Sequence, residues 1–215
     1  MNRNFSFHPD EVEFNYSGWD LDSKGRIIIE SRKDVLDLMD QCKDGYIPRL
    51  TIYSKIAKKL FANTKVRLFV ELDTTRVVDM TEMFSGCQYL EYGPEMFTNN
   101  VTNMESMFSY CVSLTGIPTY NTSKVDNMSY MFKNALSLME IPLLDTSNVT
   151  NMDFMFYGCD TLYKVPILNV EKVQSAKGIF NRCHALRSKG YPINNDDKML
   201  ETLKSVGIGG RYNLN

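Results

Sequence analysis

Histidine is scarce in this chain, with two copies in 215 residues, and tryptophan scarcer still, with one. His8 lies near the start. His184 follows Cys183, but adjacent side chains on a helix point in different directions, so the two do not read as a catalytic pair. Without a nucleophile, base and orienting group in one constellation, the chain reads as non-enzymatic. It also lacks a Gly-rich phosphate loop and a helix-borne His-Glu metal motif. No cofactor and no metal is therefore expected. There is no Cys-x-x-Cys and no Cys/His pair at zinc spacing. Five cysteines, an odd number, read as buried free thiols, with a disulfide between neighbouring repeats as the runner-up.

Charge of one sign is missing too. Lys and Arg number 24 against 26 Asp and Glu, for a net charge of −2, so there is no footprint for nucleic acid. Lys55, Lys58, Lys59, Lys65 and Arg67 cluster locally, which fits a solvated face. No apolar run approaches the roughly 18 residues of a membrane span, and the N-terminus carries no apolar stretch of signal-peptide type. The expected location is cytoplasmic or within a particle. Acid pairs such as Asp10/Glu11 and Asp196/Asp197 read as turn and cap residues.

What the chain has in abundance is repetition. Val77, Val101, Val125, Val149 and Val173 stand 24 residues apart. In the same register run Met80, Met104, Met128, Met152 and Ala176; Met83, Met107, Met131, Met155 and Ile179; and Phe84, Phe108, Phe132, Phe156 and Phe180. Further columns hold Cys87, Cys111, Ala135, Cys159 and Cys183, then Leu90, Leu114, Leu138, Leu162 and Leu186, and Pro94, Pro118, Pro142 and Pro166. The repeat accounts for eight of the 13 methionines as packing residues. A fixed period without insertions marks a solenoid, in which each unit stacks on its neighbours.

Within one unit, Met128, Met131, Phe132 and Ala135 fall at i, i+3, i+4 and i+7, which predicts two turns of amphipathic helix. Asn127 and its equivalents Asp79, Asn103, Asn151 and Ser175 are good N-cap types for it. Leu138 and Ile141 open an extended segment, and the Thr74, Thr98, Thr122 and Thr146 column is expected to bond locally in the turn that follows. The fold class is therefore α/β: a leucine-rich-repeat-like solenoid of one short strand and one short helix per 24-residue repeat, with N- and C-terminal caps.

Residues 1–45 read as an aromatic-rich N-terminal cap carrying Phe5, Phe7, Phe14, Tyr16 and Trp19, with a strand over Val12–Tyr16. A turn ending at Gly25, a strand over Arg26–Glu30 and a helix opened by Ser31, with Val35, Leu38, Met39 and Cys42 inward and Gly45 as its stop, complete it. Residues 46–190 form the solenoid: 46–72 a degenerate rung, 73–190 the regular repeats. The degenerate rung is expected to hold strands at Leu50–Tyr53 and Val66–Leu72 and a helix at Lys55–Ala62 with Ile56, Leu60 and Phe61 inward. Residues 191–215 form a C-terminal cap with a helix carrying Met199, Leu200 and Leu203, then a tail.

The phrase Asp145-Thr-Ser-Asn-Val-Thr-Asn-Met-Asp-Phe-Met-Phe-Tyr-Gly-Cys-Asp-Thr-Leu162 resembles the BspA-like leucine-rich repeat, over about residues 73–190. That resemblance implies a leucine-rich-repeat-like solenoid, no catalytic residues, and roles in adhesion or protein binding. Tyr110, Tyr130, Phe154 and Tyr157 lie off the apolar stripe, where other copies carry Gly86, Glu82, Ser106, Gly178 and Asn181. Aromatics that the scaffold does not need are candidate binding residues. On the strand side Thr119, Leu143 and Ile167 form either a second row or part of the core. The expected role is a protein-interaction or assembly scaffold, with a structural component of a larger complex such as a virion or appendage as a close variant. The alternative is a surface or glycan-binding adhesin.

Overall fold

A computed structural model describes residues 14–188, except Ile167. The expected strand at Val12 and Glu13, residue Ile167 and the whole C-terminal cap lie outside the described residues. Phe14–Tyr16 is not a strand. Phe14 packs edge-on against Tyr16 at 5.1 Å, and both rings rest with Trp19 on the core.

The first part of the described chain carries a three-stranded parallel sheet: β1 (Ile27–Ile29), β2 (Tyr46–Ile52) and β3 (Leu68–Asp73), in that order. The turn before β1 closes through Gly25 at φ 70°, with its amide on the Asp22 carbonyl at 3.0 Å. Between β1 and β2 runs α1 (Arg32–Met39), opened by a reciprocal Ser31/Asp34 capping box. Val35 and Leu38 are its buried face. The helix stops at Asp40, short of Gly45, which sits instead in a 3-10 turn (Lys43–Gly45) pressed against the Lys65 carbonyl. Arg32 reaches from α1 to the carbonyls of Lys59, Leu60 and Ala62, and at Leu60 and Ala62 it takes the place of the amides that the preceding copy supplies to Met83 and Ser85.

Arg26 is 7% exposed and lies among Asp22, Glu71 and Asp73. Burial alone would raise the Asp22 carboxyl. The bonds from the Arg26 side chain and from the Arg26 and Lys24 amides outweigh it and hold the group at about 2.

Beyond β3 the predicted helices are absent. Residues 74–183 form successive turns joined by isolated parallel bridges, Asp79 to Asn103 to Asn127 to Asn151 to Ser175. The apolar stripe is nonetheless buried as expected: Met128, Met131, Phe132 and Ala135 are all inaccessible, and so are their counterparts in the other copies. Stacked turns and a helix bury the same positions; they differ in where the amides go. Alternate amides donate to the next copy, Met104 to Asn127, Ser106 to Ser129, Phe108 to Met131 and Tyr110 to Lys133, at 2.7–3.0 Å. The amides between them close turns within the copy, Met107 on Met104 and Ser109 on Ser106. Every second peptide therefore knits one rung to the next, as in a parallel ladder.

This winding requires left-handed residues, which a helix forbids. They recur in two columns: Glu82, Ser106, Tyr130, Phe154 and Gly178, and Gly86, Tyr110, Asn134, Gly158 and Arg182, all at φ 54–73°. Lys59 and Asn63 hold the same conformation at 57° and replace the helix expected over Lys55–Ala62. There Leu60 and Phe61 point inward, but Ile56 is 62% exposed.

Four side-chain columns complete the stack. The rings of Phe61, Phe84, Phe108, Phe132, Phe156 and Phe180 lie nearly parallel at 5.4–5.9 Å. Cys87, Cys111, Cys159 and Cys183 are free buried thiols, each donating to the Phe carbonyl of the preceding copy at 2.9–3.0 Å. Asn127 accepts from the Ser129 amide at 3.0 Å, and Asp79, Asn103 and Asn151 act alike, forming two-residue side-chain turns rather than helix caps. The threonines do not bond locally as expected. Thr74, Thr122 and Thr146 donate to carbonyls of the next copy, Phe97, Asp145 and Asn169. Thr98 Oγ1 has no partner among the described residues.

Candidate functional site

Tyr110, Tyr130, Phe154 and Tyr157 come from three consecutive copies, and the stacking of the rungs brings them together. Tyr130 stacks on Phe154 at 5.2 Å, and Phe154 meets Tyr157 edge-on at 5.9 Å. The Lys133 ammonium stands over the rings of Tyr130, Tyr157 and Tyr110, at 5.2, 5.7 and 5.8 Å. The Arg182 guanidinium covers Tyr157 at 5.5 Å. These distances fall in the range where a ring quadrupole attracts a cation. Tyr110 is 47% exposed, Arg182 is exposed, and the other rings are half-buried.

Tyr110, Tyr130, Phe154 and Arg182 occupy left-handed positions at φ 60°, 58°, 54° and 59°. A left-handed residue with a side chain costs roughly 1–2 kcal/mol, and Gly or Asn meets the need at lower cost. Other copies use them: Gly86, Asn134 and Gly158 in one column, Gly178 in the other. The ring of Phe154 lies on Gly178, where an added Cβ would come within 2.7 Å of it. Large side chains thus stand where the winding is least suited to them.

The sequence reading missed Lys133 and Arg182. Lys133 lies three residues after Tyr130, a spacing that brings side chains together in a turn as in a helix. Arg182 stands in a column that elsewhere holds Gly86, Tyr110, Asn134 and Gly158, and a cation among small residues was the signal that could have found it.

The second row is a separate face. Leu143 is 65% exposed and Thr119 is exposed as well, so neither belongs to the core. Cys183 turns inward to the Phe156 carbonyl, and burial pushes its thiol up to about 12. His184 turns to Asp160 at 2.5 Å. Among the described residues no group of acids, Cys and His is placed to hold a metal ion. No helix of the described residues is long and apolar enough to cross a membrane.

A chain of 24-residue copies knitted edge to edge, with an aromatic ridge on one flank, is a repeat protein. It belongs to the family described as "Mycoplasma protein of unknown function, DUF285", which matches residues 55–162 and 94–195. No curated protein matches the chain. Among solved structures it is similar to the leucine-rich repeat protein of T. pallidum, at 18% identity and a TM-score of 0.43, over 90% of this chain and 94% of that one.

Proposed function

We propose that the chain is a non-enzymatic scaffold for protein recognition or assembly, built as a BspA-like leucine-rich-repeat solenoid, and that Tyr110, Tyr130, Phe154 and Tyr157 are its binding residues. The observation that carries this reading is the ridge itself. Three rings, Tyr110, Tyr130 and Tyr157, gather around one cation, Phe154 stacks on Tyr130, and Tyr110, Tyr130 and Phe154 stand on left-handed backbone that smaller residues would suit better. Retained strain at an exposed cluster points to a role outside folding. Aromatic anchors supply much of the energy at protein interfaces. Glycan binding, the adhesin alternative, needs free ring faces for sugar stacking, and here cations already stand over three of them. Incorporation into a virion or appendage is one form the assembly could take.

The test is native mass spectrometry and affinity capture with the full chain and a Tyr130→Ser/Phe154→Ser variant. The proposal requires a stable homo-oligomer or a captured protein that the variant loses while its melting temperature stays close to that of the parent. A monomer that captures no protein, or capture that the variant leaves intact, overturns it. Glycan-array binding by a monomer favours the adhesin instead.

A further inference from the structure

The ridge has a charge character that points to its partner. Lys133 and Arg182 have aromatic faces as neighbours and no ion pair among the described residues. Three acids of the flanking copies are engaged elsewhere. Asp153 accepts from the Ser175 hydroxyl and the Lys177 amide, Glu105 accepts from Asn127, and Asp160 holds His184. Two other lysines of the repeats are engaged as well: Lys124 donates to Asn100 and Lys172 to Asn148. Lys133 and Arg182 therefore keep their N–H donors for a ligand, and the rings beside them exclude water from one side, which strengthens a charge-assisted bond.

The spacing narrows the class further. Lys133 and Arg182 lie on copies two steps apart, and one step of the neighbouring phenylalanine stack is 5.4–5.9 Å. Two steps come to about 11 Å, against about 9 Å for one turn of polyproline II, which repeats every three residues with about 3.1 Å rise, a difference that the long Lys133 and Arg182 side chains span. In that conformation side chains at i and i+3 share a face. Aromatic ridges are also suited to proline rings, whose backbone is already ordered.

We infer that the ridge binds an acidic, proline-containing peptide segment in the polyproline II conformation, with two carboxylates three residues apart, one on Lys133 and one on Arg182. This rests on the proposed role of the ridge as a protein-binding surface. Carboxylates are the ligands because both unpaired donors are cationic, and the prolines pack against the exposed ring of Tyr110 and the edges of Tyr130, Phe154 and Tyr157.

The experiment is fluorescence anisotropy of a labelled Gly-Glu-Pro-Pro-Glu-Pro-Gly peptide with the full chain, beside a Gln-for-Glu peptide and one with the two Glu adjacent. Saturable binding should weaken at least about tenfold for the Gln peptide and for Lys133→Gln or Arg182→Gln, and should weaken with salt. Lys124→Gln should leave it unchanged. Circular dichroism of the Gln variants checks that they fold. Equal affinity for the Gln peptide, or binding untouched by Lys133→Gln, overturns the acidic assignment. Equal affinity for the adjacent-Glu peptide overturns the spacing. Absence of binding by any of these peptides, or binding of an acidic glycan in their place, overturns the inference. Capture of a protein that Tyr130→Ser/Phe154→Ser abolishes would then leave the ridge itself standing, whereas loss of both results ends both readings.

Discussion

Replacing Tyr130 by alanine and by glycine separates turn from helix by the sign of one difference. Tyr130 holds φ 58°, half-buried, with its ring on Phe154 and under Lys133. Both substitutions remove the same ring contacts, so those losses cancel in the comparison. What remains is the backbone. A left-handed alanine costs roughly 1–2 kcal/mol, and glycine avoids that cost while losing about 0.5–1 kcal/mol more conformational entropy on folding. The glycine variant should therefore be the more stable of the two, by about 0.5–1 kcal/mol. In a helix interior the order reverses, with glycine about 1 kcal/mol worse than alanine. Urea unfolding followed by circular dichroism reads the difference, and for a chain of this size 1 kcal/mol corresponds to roughly 2–4 °C in melting temperature. An alanine variant more stable than the glycine variant would refute the left-handed assignment and the winding built on it.

Phe132→Ala, in the same turn, removes a fully buried ring stacked on Phe108 and Phe156 and should cost about 3–5 kcal/mol by the same assay; a loss no larger than that of Tyr130→Ala would contradict the phenylalanine stack. Thr122→Val should cost about 1 kcal/mol, because it strands the Asp145 carbonyl, whereas Thr98→Val, whose hydroxyl has no partner among the described residues, should be neutral or stabilising. Asp22 has a folded-state pKa of about 2, below its ordinary 3.8, so its contribution is complete above about pH 4 and is lost as the pH falls through 2. An acid titration of stability in that window should flatten with Asp22→Asn, and an unchanged profile would remove the Arg26 bond as its cause.

The positions of the core were legible in the sequence and the backbone joining them was not. Met, Phe, Cys and Leu columns at a fixed interval mark residues that face their copies, and each is buried. The helix was misread because an i, i+3, i+4, i+7 stripe does not distinguish helical turns from successive four-residue turns. The distinguishing marks were Gly86, Asn134, Gly158 and Gly178, in the middle of the supposed helices. One glycine in a helix is a small cost, but Gly and Asn recurring in register mark left-handed backbone. The opening strand at Ile27–Ile29 and the Ser31 cap were readable because a short β-branched run after a Gly turn and a Ser/Asp pair at cap spacing are local signals, whereas the period-two alternation over Val12–Tyr16 misled, since Phe14–Tyr16 is not a strand. The four ridge aromatics stood out because other copies do without them. The meeting of three of them around Lys133, with Phe154 against Tyr130 and Tyr157, follows from the stacking of rungs, which no single repeat contains.

Through-hydrogen-bond couplings in a deuterated, isotopically labelled sample test the winding most directly. The account predicts that the amides of Met104, Phe108 and Phe132 couple to the carbonyls of Asn127, Met131 and Met155, in the neighbouring copy. Couplings from those amides to carbonyls four residues earlier in the chain would mean helices, and would contradict it.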